Sequence, residues 1–205
     1  AVGPANLSRI ATKNNITLVH VSSDYVFDGT ISPHLEDEPF SPISAYGASK
    51  TAGDIAVATT DRHYIFRTSW VIGEGKNFVR TMLSLGQKGI SPTVVSDQIG
   101  RLTFTSELAA IIKHTVDTSA PFGTYNASNT GNPASWAEIT REIFQIAGYG
   151  LIVTDTTTDE YFASKANIAP RPLNSVLDTA KLESTGYKPR DWKEDLISYI
   201  HKELA

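Results

Sequence analysis

Residues 17–29, TLVHVSSDYVFDG, run from an apolar stretch into two serines, an aspartate and a turn. The β-branched, apolar run over Thr17 to Ser22 predicts a short buried strand. Gly29, Pro33, Pro39 and Pro42 then predict a loop. Upstream, Leu7, Ile10 and Ala11 fall at helical spacing and predict a helix over 4–14 that feeds the strand. Downstream, the Ala-rich, proline-free stretch 45–60 predicts a second helix. The aromatic and β-branched run 63–71 predicts a second strand.

The alternation continues along the chain. Helices are expected over 77–87, 106–117 and 135–148, and strands over 92–96 and 124–127. In the third helix Ser135 is the N-cap and Glu138 completes a capping box. The tail from Leu151 is less regular, but its last helix, 192–204, carries Trp192, Leu196, Tyr199 and Ile200 on one face. Strand and helix taking turns predicts an α/β fold, a doubly wound parallel sheet with helices on both faces and ligands at the carboxyl ends of the strands.

Bulk properties exclude several classes. The 205 residues are 40% hydrophobic and 20% charged, with a net charge of −4. That is enough to bury a core, and the scattered Lys and Arg give no nucleic-acid surface. No apolar run reaches membrane-spanning length. Without cysteine there is no disulfide or thiolate metal site, which suits the cytosol. His20, His34, His63, His114 and His201 show no ligand spacing, so no catalytic metal is expected, and the sequence gives no support for Mg2+. Glu36-Asp37-Glu38 reads as a solvated acidic loop.

Chemistry enters at Tyr46-Gly47-Ala48-Ser49-Lys50. At i and i+4 the phenol and the ammonium share a helix face. A tyrosine titrates near ~10, so a neighbouring cation that favours the phenolate eases proton donation at neutral pH. Alone, the pair also fits a solvated helix face. Ser23 alters the balance, because it stands at the carboxyl end of a predicted strand, 23 residues before Tyr46, where its hydroxyl can donate to a carbonyl oxygen that gains charge.

In order and spacing, SSDYVFDG (22–29), PISAYGASK (42–50), FRTSW (66–70), DQIGRLTF (97–104) and RPLNSVLDTAKLE (171–183) resemble the dTDP-4-dehydrorhamnose reductases, extended short-chain dehydrogenases/reductases. The resemblance covers nearly the whole chain. It implies a Rossmann-like sheet with a smaller C-terminal substrate-binding lobe. Residues 1–75, with 104–127 interleaved, would belong to the dinucleotide-binding part, and 76–205 mainly to the lobe. It further implies a cytoplasmic enzyme that reduces the 4-keto group of dTDP-4-dehydro-6-deoxy-L-mannose with NADPH or NADH. Ser23, Tyr46 and Lys50 would be catalytic. Ser22, Tyr46, Lys50 and Ser69 would meet the cofactor, and Asp24, Tyr25, Trp70, Gln98 and Arg171 the dTDP-sugar. A homodimer is compatible with it.

Each assignment has a structural alternative. Trp70 and Tyr25 also suit a core, Asp24 and Asp97-Gln98 suit Asx turns, and Arg171 suits an exposed loop charge. Between two prolines, however, its guanidinium also suits a diphosphate. Arg101-Leu102 departs from the family, which usually has proline before the threonine, and Ile72 stands where an aromatic is common. The glycine-rich turn that cradles a dinucleotide pyrophosphate is missing before the first strand, and neither Gly73-Glu74-Gly75 nor Gly123 replaces it. Beginning without methionine, the chain reads as the later two thirds of a longer one, with an uncovered sheet edge expected beside 17–22. Two further readings follow: a non-catalytic regulatory homologue like the methionine adenosyltransferase β subunit, or another nucleotide-sugar reductase or epimerase.

Overall fold

The computed structural model describes residues 1–164, 166 and 168–205. In chain order the elements are α1 (Val2–Lys13), β1 (Leu18–Ser23), a 3-10 turn (Asp24–Val26), α2 (Ala45–Val57), β2 (His63–Thr68), β3 (Val71–Ile72), α3 (Phe78–Gln87), β4 (Thr93–Val95), β5 (Ile99–Gly100) and β6 (Thr103–Phe104). They continue with α4 (Thr105–Asp117), β7 (Gly123–Asn126), β8 (Ala134–Ser135), α5 (Trp136–Ile146), β9 (Thr154–Thr156), α6 (Thr158–Phe162), α7 (Ala180–Glu183) and α8 (Trp192–Leu204). None of the described helices is long and apolar enough to cross a membrane.

The central sheet is parallel, in the order β1-β2-β7. Leu18 pairs with His63 and Ser23 with Thr68, so the serines of β1 and the end of β2 finish side by side. Alternation along β2 sends Tyr64 and Phe66 into a core with Ile111 of α4, Tyr125 and Leu182. On the opposite face Arg67 reaches Asp54 of α2. Both faces are therefore covered by helices, as the alternation predicts. Among the described residues β1 pairs only with β2, and its Val19 and Val21 remain exposed.

A second core fills the lobe. Ile72, Val79, Leu83, Leu102, Ile139, Ile143 and Phe144 pack there with Trp192, Leu196 and Ile200 of α8. The capping box of α5 forms as expected: Glu138 N donates to Ser135 Oγ at 3.2 Å, and Ser135 N to Glu138 Oε2 at 2.7 Å.

Three expectations need correction. The strand expected over 63–71 stops at Thr68, because Trp70 takes a left-handed φ of 46°. The chain there leaves the central sheet, and Val71–Ile72 pair instead with Thr103–Phe104. Helix α1 forms, but Leu7 and Ile10 are 56% and 55% exposed. Its contact face is made of small residues: Ser8 and Ala11 are buried, and Ser8 Oγ donates to the Ala56 carbonyl at 2.9 Å. Small side chains let two helices approach closely, which an apolar count does not register.

The third correction concerns the acidic loop. Glu36 Oε1 accepts from Asn126 N at 2.9 Å, and the Glu36 carbonyl accepts from Arg67 at 2.9 Å. Glu38 holds Nδ1 of the fully buried His34 at 2.8 Å. Glu36 and Glu38 are bound because the loop folds over the ends of β2 and β7, whereas Asp37 is exposed as expected.

Arg67 and Asp54 are 3% and 1% exposed, with Nε 3.1 Å from Oδ2. Burial raises the Asp54 carboxyl, but His20, Ser22 and Arg67 outweigh it and hold it below the usual carboxylate range. Removing one partner strands the other charge. Asp54→Ala is expected to lower unfolding stability by about 3–5 kcal/mol, read by urea denaturation; a change below ~1 kcal/mol would mean that Arg67 is solvated in another way.

Candidate functional site

Helix α2 brings Tyr46 and Lys50 to the end of β1. Its start is fixed by Ser44, whose hydroxyl accepts from Gly47 N at 3.0 Å. Its approach is set by Gly47: a Cβ there would lie 2.2 Å from the Tyr25 carbonyl oxygen. No larger residue allows the first turn of α2 to rest on the 3-10 turn that follows Ser23. Lys50 Nζ then donates to the Val21 carbonyl at 2.7 Å. Tyr46 lies 54% exposed, its ring edge-on to Tyr25 with centroids 5.5 Å apart.

Ser23 is buried at the head of the 3-10 turn. Its oxygen accepts from Tyr25 N at 3.2 Å, and its proton goes to Asp24 Oδ1 at 3.0 Å. Asp24 is buried, at 3% exposure. Burial pushes its carboxyl up to about 6, against the lowering effects of Ser175, Ser23 and His34. The Tyr25 phenol is also raised, by burial first and then by Asp24, while Arg171 opposes the rise. At the adjacent strand end, Thr68 Oγ1 and Ser69 Oγ are buried with no hydrogen-bond partner among the described residues.

Ser175 was not singled out by the sequence. It reaches Asp24 because the 171–178 segment is laced between two others. Ser175 N donates to the Ile99 carbonyl at 2.8 Å, and His34 N to the Val176 carbonyl at 2.8 Å. SSDYVFDG, DQIGRLTF and RPLNS thus meet at one place, through long-range backbone bonds that no local pattern encodes.

The remaining candidates sit on the lobe side. Trp70 stacks on Trp136 with centroids 3.7 Å apart and 16° between planes. Gln98 is buried with both ends of its amide engaged: Oε1 accepts from Trp136 Nε1 at 3.3 Å and Nε2 donates to Thr158 Oγ1 at 3.0 Å. Asp97 accepts from Thr158 N and Oγ1, a clamp on α6 rather than a local turn. Arg171 is exposed, its guanidinium 5.5 Å from the Phe162 ring centroid.

Gln98 and Arg171 share a hollow of about 580 Å³ with Phe78, Met82, Trp136 and Tyr161. A larger one, about 790 Å³, lies between α1 and α2 and contains none of the candidates. Volume alone is therefore a poor guide; the smaller hollow combines an Arg, an amide and aromatic walls.

Comparison with known proteins identifies the family. The profile of the family described as the RmlD substrate binding domain matches residues 1–204. The chain is 41% identical to the spore coat polysaccharide biosynthesis protein SpsK of Bacillus subtilis, over 94% of this chain and 66% of that protein. It is 35% identical to a dTDP-4-dehydrorhamnose reductase of Aggregatibacter actinomycetemcomitans, over 95% of this chain and 69% of that one. The crystal structure of such a reductase from Clostridium acetobutylicum superposes with a TM-score of 0.92 at 38% identity, covering 100% of this chain and 72% of that one. The Bacillus anthracis reductase, solved in complex with NADP, gives 0.88 at 35%, over 99% and 71%. The chain spans about two thirds of the length of the curated relatives it matches. With a profile matched from end to end and relatives above a third identical, the chain belongs to the RmlD substrate-binding-domain family.

Proposed function

We propose that this chain carries the reducing site of a dTDP-4-dehydrorhamnose reductase, which converts the 4-keto group of dTDP-4-dehydro-6-deoxy-L-mannose to the hydroxyl of dTDP-L-rhamnose. The observation that carries the reading is the seating of the first turn of α2 on the turn after Ser23, which sets the accessible Tyr46 phenol edge-on to Tyr25, whose backbone N–H is held by the buried Ser23. The relatives named as this reductase support the substrate, and the NADP complex of one structural neighbour supports the cofactor.

A nicotinamide dinucleotide, when bound, supplies the hydride to the carbonyl carbon. The residues present suit its nicotinamide end. Lys50 offers an ammonium to ribose hydroxyls, and the unpartnered Thr68 and Ser69 hydroxyls hold hydrogen bonds in reserve beside Ser22 at the strand ends. No glycine-rich turn for the pyrophosphate occurs in these 205 residues.

Tyr46 gives its phenolic proton to the carbonyl oxygen as charge develops there, and Lys50 favours the phenolate left behind. Ser23 donates a second hydrogen bond to the same oxygen. With Asp24 ionised, the Ser23 proton is committed to that carboxylate. Once Asp24 is protonated its carboxyl can be the donor, and the Ser23 proton is released toward the substrate. His34 and Tyr25 are the other titratable groups that act on this pair. Arg171 meets the diphosphate from the lobe side, and Asp24, Tyr25 and Trp70 line the sugar. Residues 1–75 with 104–127 serve the cofactor, and 76–205 mainly the sugar nucleotide.

Two experiments test this. With the dTDP-4-keto-sugar as substrate, Tyr46→Phe is expected to lower kcat about 100-fold or more while NADPH affinity stays within ~3-fold, by absorbance assay and fluorescence titration. Turnover that survives the substitution would remove Tyr46 as the acid. The second experiment follows stability against pH. The folded-state pKa of Asp24 is raised, so its contribution is complete below the unfolded value near ~4 and is lost as pH rises through about 6. Across that window the wild type should lose on the order of 3 kcal/mol relative to Asp24→Asn; parallel stability curves for the two would show that Asp24 is not buried as an acid.

A further inference from the structure

Trp70 is a bulky residue at φ 46°, a conformation that L side chains adopt at a cost and that surrounding contacts must enforce. Its backbone is held by one bond, from Thr103 N to the Trp70 carbonyl at 3.1 Å. Its ring packs on the lobe core and lies against Gly100 and Trp136. Gly100 backs onto it so closely that a Cβ there would lie 2.8 Å from the indole. Trp136 stacks on it at 3.7 Å.

Trp136 is itself fixed from several sides. It is the first residue of α5, inside the Ser135–Glu138 capping box. Phe78 packs on it at 4.4 Å, and its Nε1 donates to Gln98. Gln98 is tied to Thr158, and Thr158 to Asp97. The Gln98 amide uses one N–H on Thr158 and one carbonyl lone pair on Trp136, which fixes its orientation and that of the Trp136 ring.

We propose that Trp136 is a positioning residue for the keto-sugar: with Gln98 and Gly100 it holds the Trp70 ring as a fixed wall of the sugar site. The proposal rests on the reductase reading for the role of Trp70, but the indole stack can be detected without turnover. Two indoles stacked this closely couple their transitions and produce an exciton couplet in the far-ultraviolet circular dichroism.

The experiment records that couplet and the steady-state kinetics for the unsubstituted protein and for Trp136→Phe, Trp136→Ala and Trp70→Phe. The couplet should be present at first and absent from all three variants. Trp136→Phe keeps an aromatic under Trp70 and should hold KM for the dTDP-4-keto-sugar within ~2-fold, whereas Trp136→Ala should raise it about tenfold with kcat little changed. Rescue by Phe separates positioning from a general loss of folding. A couplet that survives without Trp136, or a wild-type KM in Trp136→Ala, overturns the role alone. Absence of turnover in the unsubstituted protein under conditions where NADPH is shown to bind overturns the reductase reading and the role with it.

Discussion

The buried pair between Arg67 and Asp54 is the constraint on which the rest of the candidate site depends. Arg67 is the penultimate residue of the central strand, and Asp54 lies two helical turns beyond Tyr46 and one beyond Lys50, so the three residues of α2 form one stripe. The helix is fixed about its own axis at two points, Lys50 on the Val21 carbonyl and Asp54 on Arg67. Tyr46, at the free end of the stripe, then has little choice of direction. Arg67 also organises the loop above it: its guanidinium lies about 5 Å from the Phe27 and Phe40 ring centroids and donates to the Glu36 carbonyl. A charge this deeply buried persists because Asp54, the Glu36 carbonyl and two aromatic rings meet it. The same partners shape the mouth of the site.

Close approach is the second constraint, and it explains why distant motifs meet. Gly47 lets α2 touch the turn after Ser23, and Gly100 lets the β5 backbone lie against Trp70. Backbone bonds from His34 to Val176 and from Ser175 to Ile99 then draw the 171–178 segment across both. Asp24 is buried as a result. Its carboxyl is surrounded by hydroxyls rather than by a cation at bonding distance, which is why burial wins and its affinity for a proton rises.

What was legible in the sequence follows from which physics is local. Hydrophobic periodicity and proline placement marked the alternating elements to within a few residues, and Ser135 with Glu138 formed the expected cap. The spacing of Tyr46 and Lys50 put both on one face of a real helix. Signals failed where the deciding contact was long-range. The run from His63 to Val71 has uniform β character, and nothing in it marks the left-handed turn at Trp70. Leu7 and Ile10 satisfied an apolar count, yet α1 packs through Ser8 and Ala11, because interhelical distance, not hydrophobicity, was limiting. Glu36 and Glu38 looked solvated because their partners, Asn126 and the buried His34, are identified only by the fold. Ser175 and Trp136 carried no local signal at all.

The turn at Trp70 also links the two cores. A non-glycine residue with positive φ costs on the order of 1 kcal/mol or more, and a stacked aromatic pair returns about 0.5–1.5 kcal/mol. The two nearly cancel, so the conformation is not secured by the stack in isolation. It is secured because α5, which carries Trp136, is anchored in the lobe through Ile139, Ile143 and Phe144. Trp70 follows β2, whose Tyr64 and Phe66 are anchored in the sheet core, while its ring packs on the lobe core. Loosening the lobe would free Trp136, and the left-handed turn would then relax toward an extended backbone that carries the indole away from Gly100. Lobe packing and the position of the Trp70 ring are therefore one equilibrium, and a substitution in the lobe core can alter the site without touching it.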